Sequence, residues 1–181
     1  MKECCQASAA PVVRPADLND VQAIFDLIRE HADNLITRSF NDIVQNIDRF
    51  YVAEQAGEIV GCAAWSLLPE IGEVTHTAVE IKSVAVRRAW RGQGTGRALV
   101  QAVIDRVAPL RVAQMIVLTF APEFFRSLGF TEIPKTQIMH KIYMGCINCT
   151  KHANPFTCPE VAMVLIPRHD ATPKPATPQE S

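Results

Sequence analysis

The chain has 181 residues, 48% of them apolar and 20% charged, with a formal net charge of -1. That length holds one domain whose core is large enough to fold without staples, and it leaves too little chain for two. No stretch of about 20 residues is free of charge, which excludes a membrane-spanning helix, and 18 Lys and Arg against 19 Asp and Glu exclude a general nucleic-acid binder.

Residues 1–10 read as a flexible N-terminus. An acid beside Lys2 and only a few apolar residues near position 10 do not make an export signal, so the expected location is the cytoplasm. The six cysteines are then expected as reduced thiols. A short strand is predicted over 12–14. Asp17 is a fitting N-cap for a helix in which Leu18, Val21, Ile24, Leu27 and Ile28 share one face. Ser39 or Asn41 caps a second, shorter helix. Strands over 50–54 and 59–68 meet around Ala56-Gly57 in a hairpin.

The next strand, predicted over 74–86, carries an irregularity. Apolar side chains stand at odd positions Val79 and Ile81, then at even positions Val84 and Val86, so the alternation slips by one around Lys82-Ser83. A β-bulge makes such a slip; a strand buried on both faces would make the pattern meaningless. After the strand comes Arg91-Gly92-Gln93-Gly94-Thr95-Gly96-Arg97, then a helix with Leu99, Val100, Val103, Ile104 and Val107 on one stripe, stopped by Pro109. Residues 81–104 carry five cations and no acid, which leaves -6 on the rest. A strand, a glycine-rich turn and a helix in that order aim backbone N–H groups and the positive helix end at one point, a cradle for pyrophosphate. The bland alternative for the cations is a solvated basic surface.

A continuous apolar strand follows over 113–120. Pro122 opens a short helix that ends at Gly129. Two more strands are predicted over 130–133 and 161–166. Cys146, Cys149, His152 and Cys158 have spacings that suit a structural zinc in a Cys-rich loop over 146–158, with free thiols as the other reading. Cys62 lies in a strand and is expected in the core. The Pro-rich segment 170–181 reads as a disordered tail.

These features resemble the GNAT superfamily of acyl-CoA-dependent N-acetyltransferases, whose signature Arg/Gln-x-x-Gly-x-Gly/Ala is met by Arg91-Gly92-Gln93-Gly94-Thr95-Gly96. Ser83-Val84-Ala85-Val86 before it and Phe124-Phe125-Arg126-Ser127-Leu128-Gly129-Phe130 after it match the family's strand and helix end. The chain is most similar to short amino-acid N-acetyltransferases like the acetyltransferase domain of N-acetylglutamate synthase, without the amino-acid-kinase domain of the long synthases. The stretches 35–39, 50–54, 61–64, 80–86 and 117–119 carry that likeness. It implies an α/β GNAT fold over 11–169, a mixed and mostly antiparallel sheet with a splayed, bulged central strand flanked by helices.

The resemblance implies acetyl-CoA as co-substrate, its pyrophosphate on Arg91, Gly92, Gln93, Gly94, Thr95, Gly96 and Arg97 and its pantetheine arm along Val84 and Val86. Glu80 is the candidate general base, acting through a water, with a cross-strand charge partner as its alternative role. The Val84 amide is the candidate oxyanion donor. Many relatives carry a tyrosine as general acid where this chain has Phe125, and Tyr143 is left unassigned. A glutamate-like acceptor brings two carboxylates, for which Arg38, Lys82 and Lys141 are the candidate cations.

The leading reading is therefore acetylation of a free amino acid's α-amine, L-glutamate first, in arginine biosynthesis. A GNAT enzyme for another small amine, peptide or protein is the second, and a non-catalytic acetyl-CoA sensor the third. No nucleic-acid or membrane partner is expected, and a homodimer is left open.

Overall fold

A computed structural model of the chain describes residues 10–68, 77–149 and 151–167. The expected flexible start up to residue 9, the tail over 170–181, Cys4, Cys5 and residues 74–76 of the predicted strand lie outside the described residues. In chain order the elements are β1 (Val12–Pro15), α1 (Val21–Glu30), α2 (Phe40–Gln45), β2 (Phe50–Gln55), β3 (Glu58–Leu68) and β4 (Ala78–Val86). They continue with α3 (Thr95–Val107), β5 (Gln114–Thr119), α4 (Pro122–Arg126), β6 (Thr131–Glu132), α5 (Met139–Met144) and β7 (Val161–Leu165).

The strands make one mixed sheet in the order β1-β2-β3-β4-β5-β7-β6. Every pairing is antiparallel except that of β4 with β5. Local chemistry explains the ends of the elements. Asp17 caps a single 3₁₀ turn that leads into α1, accepting from the Asn19 amide at 2.7 Å. Ser39, rather than Asn41, caps α2 by accepting from the Asp42 amide at 3.1 Å. Ala56 and Gly57 both have positive φ, the turn that joins β2 to β3 with the right twist. At the end of α4, Gly129 takes φ 91°, the Phe130 amide reaches back to the Phe125 carbonyl at 3.1 Å, and the two rings meet edge to face at 5.5 Å. That is the left-handed helix stop with its hydrophobic contact.

Both sheet faces are covered. Leu99, Val100, Val103 and Val107 of α3 pack on Val60, Ala63, Trp65, Val79, Ile81, Met115 and Val117. On the other face, Val21, Ile24, Leu27 and Ile28 of α1 and Ile43 of α2 pack on Phe50, Val52, Ile59, Cys62, Ala64 and Ala85. A third group around Ile138 and Ile142 brings α5 onto Ile116, Ala162 and Val164. At roughly 25 cal/mol per Å² of apolar surface, each such fully buried Leu or Ile contributes about 1.5–3 kcal/mol, so the two helical layers hold the sheet rigid beneath the site.

The slip in β4 is a bulge. Cys62 pairs with Ala85 and Ala64 with Lys82, so Ala63 stands opposite two residues, and Ser83 adopts φ 54°. Val79 and Ile81 before it, and Val84 and Val86 after it, all reach the α3 face. Pairing of β4 with β5 is confined to Ala78–Glu80 against Gln114–Ile116. Beyond Glu80 the two strands diverge, which is the expected splay. The strand predicted over 130–133 shrinks to a two-residue edge, and α5 forms where the sequence offered no clear period.

Candidate active site

The divergence of β4 and β5 opens a cleft of about 690 Å³. Ser83, Val84 and Val86 line one side, Val117 and Thr119 the other, and Arg91, Gly92, Gly94, Gly96 and Arg97 close one end. Gly92 and Gly94 take φ 75° and 84°, and a Cβ at either would meet no heavy atom within 4 Å. The loop is therefore shaped by backbone conformation and leaves open space over its amides, where α3 directs its N-terminus. This fits the phosphate-bearing arm of acetyl-CoA that the resemblance implies. At Gly96 a Cβ would sit 3.5 Å from the Phe124 ring, an ordinary packing contact, so neither space nor backbone angle requires glycine there.

Not every expected contact uses a side chain. Gln93 and Thr95 are absent from the cleft lining: Gln93 Nε2 donates to the Ala89 carbonyl at 2.9 Å, and Thr95 is buried. The Arg97 guanidinium is engaged by the Ser127 carbonyl and hydroxyl at 3.0 and 2.9 Å. Arg91 Nε donates to the Val86 carbonyl at 3.0 Å, and His31 Nε2 lies 3.0 Å from the same oxygen. The end of β4 is thus clamped to both the loop and α1. Nothing in the sequence spacing singled out His31.

A second cavity of about 80 Å³ shares Ser83, Lys82, Leu118 and Glu160 with the cleft. Arg38, Lys82 and Lys141, the three candidate acceptor cations, all line it, together with Glu80. Lys141 Nζ lies 2.7 Å from Glu80 Oε1, and both side chains are nearly buried. Arg38 Nε donates to Ser83 Oγ at 3.3 Å, and its guanidinium is 3.4 Å from Asp42. Burial pushes the Lys82 ammonium below the ordinary lysine value; nearby Arg38 adds to this, while Glu80 and Asp42 oppose it. Asn34, Lys135 and Glu160 also line this cavity. They come from a loop, a 3₁₀ turn and the residue before β7, and no periodicity marks them.

The bulge is tied down from beneath. The Cys62 thiol donates to the Ser83 carbonyl at 3.4 Å, and burial pushes its pKa up to about 12, so it is the inert core thiol expected. Phe125 is buried against Phe124 and Phe130, while Tyr143 is 54% exposed on α5.

Of the two readings of the cysteine spacing, the zinc site is not assembled among the described residues. Cys146, Cys149, His152 and Cys158 all line the second cavity, but among the described residues no group of three or more His, Cys, Asp or Glu could hold a metal ion. Cys158 Sγ faces Glu160 at 3.7 Å, and Cys146 packs on the Ile138 and Ile142 group. Spacing that would suit four ligands instead spreads these side chains along a cavity wall.

Comparison with known proteins agrees with the geometry. The family model "Acetyltransferase (GNAT) domain" matches residues 46–132. An uncharacterized N-acetyltransferase of Chlorobaculum tepidum is 34% identical over 159 residues, covering 87% of this chain and 97% of its own. An amino-acid acetyltransferase of Mycobacterium tuberculosis is 35% identical, covering 74% of this chain and 75% of its own. Among solved structures, one from Mycobacterium tuberculosis in complex with CoA and NLQ has a TM-score of 0.70 at 28% identity, over 86% of this chain and 99% of that one. The N-acetylglutamate synthase of Neisseria gonorrhoeae, complexed with coenzyme A and N-acetyl-glutamate, shares the fold at a TM-score of 0.70 and 23% identity, over 89% of this chain and 36% of that one. With a relative so similar along nearly its whole length, and with the bulge and the glycine loop inside the matched domain, the chain belongs to the GNAT acetyltransferase family.

Proposed function

We propose that the protein transfers the acetyl group of acetyl-CoA to the α-amine of a free amino acid, with L-glutamate as the first acceptor. The observation that carries this reading is the convergence of Arg38, Lys82 and Lys141 with Glu80 on one cavity, which shares the Ser83 bulge with the glycine-loop cleft. Carboxylates bind where guanidinium and ammonium groups face an enclosed space. The amino-acid acetyltransferase named above supports the same acceptor class.

In this reading the loop amides and Arg91 hold the pyrophosphate, and the edge of β4 at Val84 and Val86, beyond its pairing with β5, receives the pantetheine arm as an added strand. Arg38 and Lys82 take the acceptor carboxylates. Glu80 removes a proton from the ammonium through a water, and the amine nitrogen then attacks the thioester carbon. The Val84 amide donates to the oxygen as it becomes anionic. The carbon–sulfur bond breaks, and the thiolate, with a pKa of about 8.5, departs without a tyrosine acid. With glutamate as acceptor, the reading extends to a cytoplasmic enzyme of arginine biosynthesis.

Lys141 is already paired with Glu80, which leaves Arg38 and Lys82 for the two carboxylates. Thiol release measured across free amino acids, polyamines and peptides separates the readings. Turnover on acidic amino acids is expected; turnover on polyamines or peptides alone overturns the amino-acid acceptor, and CoA binding without release on any amine leaves a sensor.

A further inference from the structure

Among the described residues, the cysteines after α5 do not gather around a metal, yet they do not scatter over the surface either. Cys146, Cys149 and Cys158 line the same cavity as Glu80 and Lys141. We propose that Cys146 and Cys149 form a dithiol modification site in the wall of the acceptor cavity, oxidised by low-molecular-weight disulfides with a loss of acceptor affinity.

The geometry of the pair comes first. Cys146–Asn148 form a single 3₁₀ turn directly after α5, and the Cys149 amide donates to the Cys146 carbonyl at 3.1 Å. A turn closed by that bond brings its first and fourth Cα atoms within about 7 Å. A disulfide spans Cα separations of about 4.4–6.8 Å, so the turn holds the two backbone positions close to bonding range. Both thiols are free, and both are partly accessible.

The surroundings make the pair consequential. Cys146 packs on the group around Ile138 and Ile142, the latter on α5, the helix that also carries Lys141. Burial pushes the Cys146 thiol above its ordinary value, with Glu80 and Glu160 adding to this and Lys141 opposing it. A Cβ at Gly145, next in the chain, would fall 2.8 Å from Lys141 Nζ, so the ammonium lies directly over the backbone leading into the cysteine turn. The rest of the loop is anchored. Lys135 Nζ donates to the carbonyls of Pro155 at 2.9 Å and Cys158 at 2.5 Å, and Lys151 Nζ donates to the carbonyls of Ala32 and, at 2.6 Å, Leu35. With the loop fixed at both sides, rotation of Cys146 towards Cys149 displaces the wall beside Lys141.

The exchange balances as two steps. The Cys149 thiolate attacks one sulfur of the small disulfide, forming a mixed disulfide and expelling one small thiol. The Cys146 thiolate then attacks the Cys149 sulfur and expels the second. Two thiols are oxidised, one disulfide is reduced to two thiols, and the two cysteine protons leave with them.

Glutathione disulfide applied to the full chain, with Cys4 and Cys5 replaced by serine, tests this. Intact mass should fall by about 2 Da, the two hydrogens removed, as one disulfide forms, and peptide mapping should join Cys146 to Cys149. The acceptor KM should then rise at least about fivefold while the acetyl-CoA KM stays within about twofold, and dithiothreitol should reverse the change. Cys149→Ser and, separately, Cys146→Ser should each abolish the response. A stable glutathione adduct without the internal bond overturns the proposal, as does the bond formed with no change in acceptor KM. Because the mass is read without turnover, failure of the dithiol and failure of the glutamate reading are distinguishable.

Discussion

Lys141 reaches from α5 to place its Nζ 2.7 Å from Oε1 of Glu80, on the last residue of β4 that still pairs with β5. Charge on the candidate base is thus balanced by a lysine 61 positions later in the chain, with only 12% and 10% of the two side chains exposed. Removing one partner leaves the other charge uncompensated in a nearly dry site, which is more costly than losing the pair as a whole. Lys141→Met should lower unfolding free energy by about 2 kcal/mol, and Glu80→Gln combined with Lys141→Met should recover part of that loss. Urea unfolding of the two single variants and the double variant checks this. Additive losses would mean that the pair contributes nothing as a pair.

Gly94 turns the chain into α3 at φ 84°, where side chains are strained and the amides must stay open. Gly94→Val should raise the acetyl-CoA KM about tenfold or more and cost about 1–2 kcal/mol of stability. The acceptor KM should change little. Steady-state kinetics with each substrate varied in turn distinguishes a loop that binds the co-substrate from one that merely turns the chain.

Lys82 supplies a pH dependence with a definite sign. Burial lowers its ammonium's pKa below the usual lysine range, so the charged form is lost at lower pH than for an exposed lysine. Acceptor affinity should therefore fall as pH rises through that depressed value, short of the ordinary value near 10.4. Lys82→Arg keeps its charge over the whole range and should flatten this alkaline limb. The pH profile of the acceptor KM for both proteins measures it.

Much of this site could be read before folding, and the reasons are particular. The odd-to-even slip between Ile81 and Val84 is a one-dimensional trace of the bulge, because both pairs must reach α3 from the same strand. Gly92, Gly94 and Gly129 mark positive φ angles that other residues adopt at a cost. Glu160, His31 and the Glu80–Lys141 pair left no such trace. They meet through packing between distant segments, and no local period encodes a contact of that kind. The Cys146, Cys149, His152 and Cys158 spacing left zinc and free thiols both open for a related reason: it reports reach along the chain but not the direction in which each side chain points.

Arg14 gives the stability of the framework an acid limit. Its guanidinium bonds both oxygens of the buried Asp20 at 2.7 and 2.9 Å and also reaches Glu54. The Arg14 hydrogen bonds hold the Asp20 carboxyl below its usual range, against the opposing effect of burial. A carboxylate stabilised in the fold contributes above its unfolded value near 3.9, and the contribution fades as pH falls through the lowered folded value. Arg14→Gln should remove about 1–3 kcal/mol at pH 7 and less below pH 3. Urea midpoints at the two pH values check the difference.

The most direct test compares thiol release from acetyl-CoA with L-glutamate and with its α-amide, in the native protein and in Arg38→Ala. Turnover of glutamate is predicted at least about a hundredfold above that of the amide, with the preference collapsing in Arg38→Ala through a higher acceptor KM. Equal use of glutamate and its amide by the native protein would contradict an acceptor site built on carboxylate recognition.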